Sequence, residues 1–126
     1  MKTLLLILML SPAIQLEQPN LEGITQAIRS GNADALGVFF GSTVEISIMD
    51  KEDRYSKADG IRVMKDFFSK NKPSTFNPVH QGVSRGGDLH YSIGEMRTAQ
   101  GNFRVYMLLK DGSGNPVIQQ LRIDRE

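Results

Sequence analysis

The sequence predicts an α+β fold: a curved antiparallel sheet wrapped around N-terminal helices. Three observations carry this expectation. Apolar residues in the first half recur at helical spacing, as in Leu21, Ile24, Ala27 and Ile28. From Ser74 onward the period falls to two, the signature of strands. The strands of that second half are separated by short turns, which make neighbours antiparallel. A run of helices followed by a run of strands places helices on one face of a sheet. A chain of 126 residues suits one domain with one core. The expected organisation is a leader over 1–13 and a single domain over 14–126.

The elements follow in order. Pro19 suits the first turn of the first helix, and Gly31-Asn32 ends it. Asn32 can cap a second short helix with Leu36, Phe39 and Phe40 on its apolar side, stopped by Gly41. Val44, Ile46 and Ile48 alternate with Glu45 and Ser47 as a strand, and Asp50 to Arg54 reads as a charged turn. Ser56-Lys57-Ala58-Asp59 resembles a capping box with Asp in place of Glu. It opens a helix whose Ile61, Met64, Phe67 and Phe68 share a face directed at the core, with Val63 to one side. Lys70 to Pro73 closes that helix, since cations favour a helix C-terminus and proline cannot continue it. Phe76 to Ser84 is a strand in which Pro78 indicates an edge or a bulge. A tight turn over Arg85 to Asp88 leads to a strand over Leu89 to Ala99. In the next strand Phe103, Val105, Met107 and Leu109 form an apolar face against Arg104, Tyr106 and Leu108. After the loop Asp111 to Asn115, the last strand spans Val117 to Ile123.

Composition narrows the chemistry. Lys and Arg number 15 against 14 Asp and Glu, so there is no basic surplus of the kind a nucleic-acid partner calls for. The absence of cysteine removes disulfides, thiolate metal ligands and a Cys nucleophile. Lys2, the apolar run Leu4 to Leu10, and Ser11-Pro12-Ala13 have the layout of an export signal cleaved after Ala13. That run is too short to span a bilayer, and no Cys follows to carry a lipid, so a periplasmic or secreted protein is expected.

Several segments together carry a resemblance: Met64 to Pro73, His80-Gln81-Gly82, Tyr91-Ser92-Ile93-Gly94, Phe103 to Lys110, and Ile118 to Ile123. The chain resembles a family of small exported domains of unknown function from Bacteroidetes with a nuclear-transport-factor-2-like (cystatin-like) fold, over roughly Leu21 to Arg125. The resemblance implies a bent sheet around helices, with a cavity at its open end. It implies no activity, because the wider superfamily spans isomerases, dehydratases, ligand carriers and structural dimerisers.

The side chains that could furnish such a cavity depend on one turn. With Gln100-Gly101 as a two-residue turn, Arg97 opposes Arg104 and Glu95 opposes Tyr106, all on the outer face. With Ala99-Gln100-Gly101 as a three-residue turn, Glu95 and Arg97 join the Phe103/Val105 face together with Tyr91 and Ile93. The second register gives the better core and avoids opposed arginines. It aligns Tyr91, Glu95 and Arg97 inward, and Gln119, sharing a face with Leu121 and Ile123, joins them. That set would form the polar end of an apolar cavity for a small apolar or amphipathic ligand. An isomerase needs a carboxylate base and an acidic donor pair, and no second acid lies on these strands, so no catalytic residue is assigned.

No cofactor and no metal are implied. His80 and His90 are expected opposite Ile93 and Val83, on different faces. The glycine-rich stretches lack the Lys-Ser/Thr and the helix of a phosphate loop. Arg104, Tyr106 and Leu108 on the outer face combine the residue types that interfaces use, so a homodimer through that face is the expected assembly. The reading is an exported non-catalytic ligand-binding or dimerisation module, with a small isomerase- or dehydratase-like enzyme as the alternative.

Overall fold

The computed structural model describes residues 20–83, 88–112 and 114–126. The expected leader, Pro19, Ser113 and most of the turn before Asp88 lie outside these residues.

Helix α1 spans Glu22–Arg29 and buries Ile24, Ala27 and Ile28, with Leu21 buried just before it. Its periodic face is therefore the one the sequence indicated. Ser30 closes it, its amide and its hydroxyl both donating to the Gln26 carbonyl. Helix α2 is a short turn over Ala33–Gly37, capped by Asn32, whose Oδ1 accepts from the Ala35 amide at 3.0 Å. The expected extension of α2 through Phe40 to Gly41 does not occur. Phe40 opens strand β1, Phe40–Ile48. The Ile118 amide donates to the Phe39 carbonyl at 2.7 Å, so the chain there already serves the sheet rather than the helix.

The charged segment after β1 is also a strand, β2, Lys51–Ser56. Only Met49 and Asp50 make the turn, and both have positive φ, 49° and 67°. This is the pattern of a type I′ hairpin, whose twist matches that of the strands it joins. Strand β2 was illegible as a strand because it lies at the sheet edge and all its residues except Tyr55 are exposed, leaving no apolar alternation. Its charges have a use at that position: they discourage pairing with another chain.

Helix α3, Lys57–Lys70, starts directly from β2, with Ser56 Oγ accepting from the Asp59 amide at 3.3 Å. Met64, Phe67 and Phe68 are buried, and Ile61 packs against them. Strands β3 (Pro73–Val83), β4 (Leu89–Thr98), β5 (Gly101–Asp111) and β6 (Pro116–Arg125) complete the chain.

The six strands form one sheet in the order β2-β1-β6-β5-β4-β3. All neighbours are antiparallel except β1 and β6, which are parallel and bring the first strand beside the last. Pro78 marks an edge strand and a bulge at once, since β3 is the other edge and its register shifts between Pro78 and His80. Arg29 ties this edge to α1, its Nε donating to the Phe76 carbonyl at 2.9 Å.

The helices cover one face of the sheet. On that face Phe103, Val105, Met107 and Leu109 are buried, as their alternation indicates, with Phe76, Met96, Ile118, Leu121 and Ile123 beside them. The Phe67 ring meets Phe103 edge-on, 5.5 Å between centroids, fixing α3 to the centre of the sheet.

Candidate functional site

The residues that bound a cavity are set by the end of the sheet where β1 turns into β2. There α3 leaves part of the inner face uncovered. The opening is a cleft of about 520 Å³ between α3, the β1–β2 hairpin and the end of β6. Its walls are apolar: Ile46, Ile48 and Met49 from β1 and the turn, Tyr55 from β2, and Val63 and Phe67 from α3. Val63, off the core stripe of its helix, therefore has a surface of its own to line. Phe67 serves both core and cleft.

Polar side chains ring the cleft: Lys51, Arg62, Asp66, Lys70, Asn71 and Arg125. Asp66 accepts from Lys70 Nζ at 3.1 Å, and Arg62 is bound to Asp59 at 2.9 Å, each one helical turn away. The Arg125 guanidinium donates to the Gln100 carbonyl at 2.8 Å and stands 5.0 Å over the Phe103 ring. Among the described residues no carboxylate pairs with Lys51 or Arg125. Chemically this is an apolar slot with a cationic mouth. Among the described residues Asp66 is the one carboxyl in the lining, and it lies on the rim in an ion pair.

The four residues that the sequence placed at a cavity lie elsewhere. The turn between β4 and β5 is the two residues Ala99-Gln100, one register step from the three-residue expectation and two steps from the Gln100-Gly101 one, so Glu95 pairs with Arg104 and Met96 with Phe103. Thr98 closes it, its hydroxyl accepting from the Gln100 amide at 3.0 Å and donating to the Gly101 carbonyl at 2.8 Å. Because side chains alternate, the one-step difference from the favoured three-residue register turns Tyr91, Glu95 and Arg97 to the outer face, as the two-residue alternative has it for Glu95 and Arg97, and puts His90, Ser92 and Met96 inward. Gln119 is also turned out. The register of β5 against β6 slips there, with Leu108 opposite Gln120 and Leu109 opposite Ile118, leaving Gln119 as an exposed bulge. It borders a shallow polar hollow with Thr43, Glu45 and Arg54.

The outer face does carry Arg104, exposed, and Tyr106 and Leu108, half-buried, as expected. The same turn adds Tyr91 opposite Leu108 and Ile93 opposite Tyr106, so four apolar or aromatic side chains adjoin on β4 and β5. His80 and His90 pair with Ile93 and Val83 and face opposite ways. His90 is buried, with Nε2 3.0 Å from Asp111 Oδ2. Among the described residues no three His, Asp or Glu side chains converge as metal ligands, and no helix is long and apolar enough to cross a membrane.

The cleft residues that the sequence reading missed were hidden by β2. Once Asp50 to Arg54 is taken as a turn, Lys51 and Tyr55 have no face. The available signal was the apolar Tyr55 immediately before the helix cap Ser56, in step with Lys51 and Asp53.

Comparison with known proteins gives the fold its relatives. Residues 21–124 match the model of a domain of unknown function, DUF4783. A DUF4783 protein of Bacteroides ovatus is 32% identical, with a TM-score of 0.80 over 87% of this chain and 98% of that one. An NTF-2 like protein of unknown function from Silicibacter pomeroyi is 16% identical, with a TM-score of 0.62 over 84% of this chain and 89% of that one. A Nostoc punctiforme domain of unknown function with a cystatin-like fold is 10% identical, with a TM-score of 0.64 over 82% of this chain and 71% of that one. No curated protein matches. The chain thus belongs to the DUF4783 family and has the nuclear-transport-factor-2-like, cystatin-like fold.

Proposed function

We propose that this member of the DUF4783 family is an exported, non-catalytic binding module that holds a small apolar or amphipathic molecule in the cleft between α3 and the β1–β2 hairpin. The observation that carries the reading is the cleft itself: about 520 Å³, apolar in its walls and ringed by polar groups. That volume falls within the range of about 300–1,000 Å³ common to small-molecule sites. Among the described residues the one carboxyl in the lining, Asp66, is held by Lys70 on the rim, which speaks for binding over proton transfer, since an isomerase base must reach its substrate. Export is supported by Lys2, the run Leu4 to Leu10 and Ala13.

Native mass spectrometry of the purified full chain tests this reading. A small molecule that co-purifies, and is lost when Val63→Trp fills the cleft, is the expected result. Absence of any bound molecule, together with no thermal shift from a panel of lipids and other amphiphiles, overturns it. A turnover found by substrate screening and abolished by Val63→Trp overturns its non-catalytic half.

A second reading concerns assembly. Tyr91, Ile93, Tyr106 and Leu108 adjoin on the outer face beside Arg104, a mixture typical of interface cores and rims. We infer a homodimer that buries this face.

A further inference from the structure

The mouth of the cleft is asymmetric in charge. Among the described residues four cations line it, Lys51, Arg62, Lys70 and Arg125, against the single carboxylate Asp66. Two of the cations are already committed to carboxylates, Arg62 to Asp59 and Lys70 to Asp66. Lys51 and Arg125 remain without a carboxylate among the described residues.

Topology brings these two to the same end of the sheet. Ile48 pairs with Lys51 on one side and with Ile123 on the other, and Arg125 lies two residues beyond Ile123. The alternation that buries Ile46 and Ile123 aims Lys51 and Arg125 at the same, helix-covered side. Arg125 is held in place by Gln100 and Phe103 and uses one of its five N–H groups on the carbonyl. A planar, oriented guanidinium and an ammonium lining one cleft suit a carboxylate or similar oxyanion.

We propose that the cleft selects a small amphiphile with an anionic head: its apolar body lies on Ile48, Val63 and Phe67, and Lys51 and Arg125 hold its charge. This rests on the ligand-binding reading above and adds the head-group class to it.

Calorimetric titration of the full chain with dodecanoate, dodecanol and dodecyltrimethylammonium, each below its micellar concentration, tests the proposal. Dodecanoate is expected to bind at least about tenfold more tightly than the alcohol, as for a charge-assisted contact, and the cation weakest. Lys51→Gln is expected to narrow the carboxylate-to-alcohol ratio severalfold. Should that variant fold poorly, raising ionic strength to about 1 M, where screening acts over about 3 Å, is expected to narrow the same ratio in the unaltered chain. Equal affinity for carboxylate and alcohol, or tighter binding of the cation, overturns the anionic head group and leaves the binding site standing. Binding of none of the three overturns the ligand-binding reading and this inference with it.

Discussion

The ring of Tyr91 occupies the space a side chain would need at its cross-strand partner Gly82. A Cβ built on Gly82 would lie 2.3 Å from Tyr91 Cε1 and Cζ and 2.4 Å from its hydroxyl. Gly82 is on the edge strand β3, where a glycine weakens the ladder and an aromatic neighbour restores cover. Gly82→Ala is therefore expected to cost about 1–3 kcal/mol, the usual effect of overpacking. In a Tyr91→Ala background the same change should become neutral or stabilising. Urea denaturation of the four proteins measures the coupling, and additivity would refute it.

The hairpin at Met49-Asp50 stores backbone strain at the mouth of the cleft. Both residues have positive φ without being glycine, each at a cost of roughly 1–2 kcal/mol. Replacing the pair by Asn-Gly, the favoured type I′ dipeptide, is expected to raise stability by about 1 kcal/mol. Because Met49 also lines the cleft, ligand affinity should fall in the same variant. Thermal denaturation with and without ligand checks both halves.

Tyr106→Glu places a charge in the middle of the outer apolar cluster. If the chain dimerises there, sedimentation velocity should show monomer for the variant and dimer for the parent, with the fold unchanged by circular dichroism. A parent that is monomeric at all concentrations, or a variant that remains dimeric, removes this face as the interface.

Export predicts a new N-terminus. Expressed in a bacterium that secretes through a signal peptidase, the chain should be recovered outside the cytoplasm beginning at Ile14. Mass spectrometry of the intact protein reads this directly, and a retained Met1 to Ala13 in that fraction would contradict it.

Much of the fold was legible because its signals are local. The α1 stripe, the Asn32 and Ser56 caps, the α3 core face, the β5 alternation and the role of Pro78 each depend on residues within one or two turns of one another. The candidate site was not legible, for two reasons that act together. Strand β2 has no apolar period to announce it, since edge strands take their hydrogen bonds from a neighbour and leave their side chains to solvent. The β4–β5 turn is one residue shorter than the favoured three-residue turn, and in a period of two a single step exchanges the faces of a whole strand. The deciding contact was Met96 against Phe103, the pairing that buries a large side chain beside Phe76.

By itself, then, the sequence determined the α+β class, the α1 and α3 helices, the Asn32 and Ser56 caps, the apolar faces of α3 and β5, and the edge-or-bulge character of β3 at Pro78. These follow from the spacing of side chains along the backbone. The tertiary structure alone decided that Tyr91, Glu95 and Arg97 face outward, that β1 joins β6 in parallel, and that Lys51, Tyr55, Val63, Phe67 and Arg125 share one cleft. Those residues come from β2 and α3, which adjoin in the chain, and from the distant β6, and only the packing of α3 against one end of the sheet brings them together.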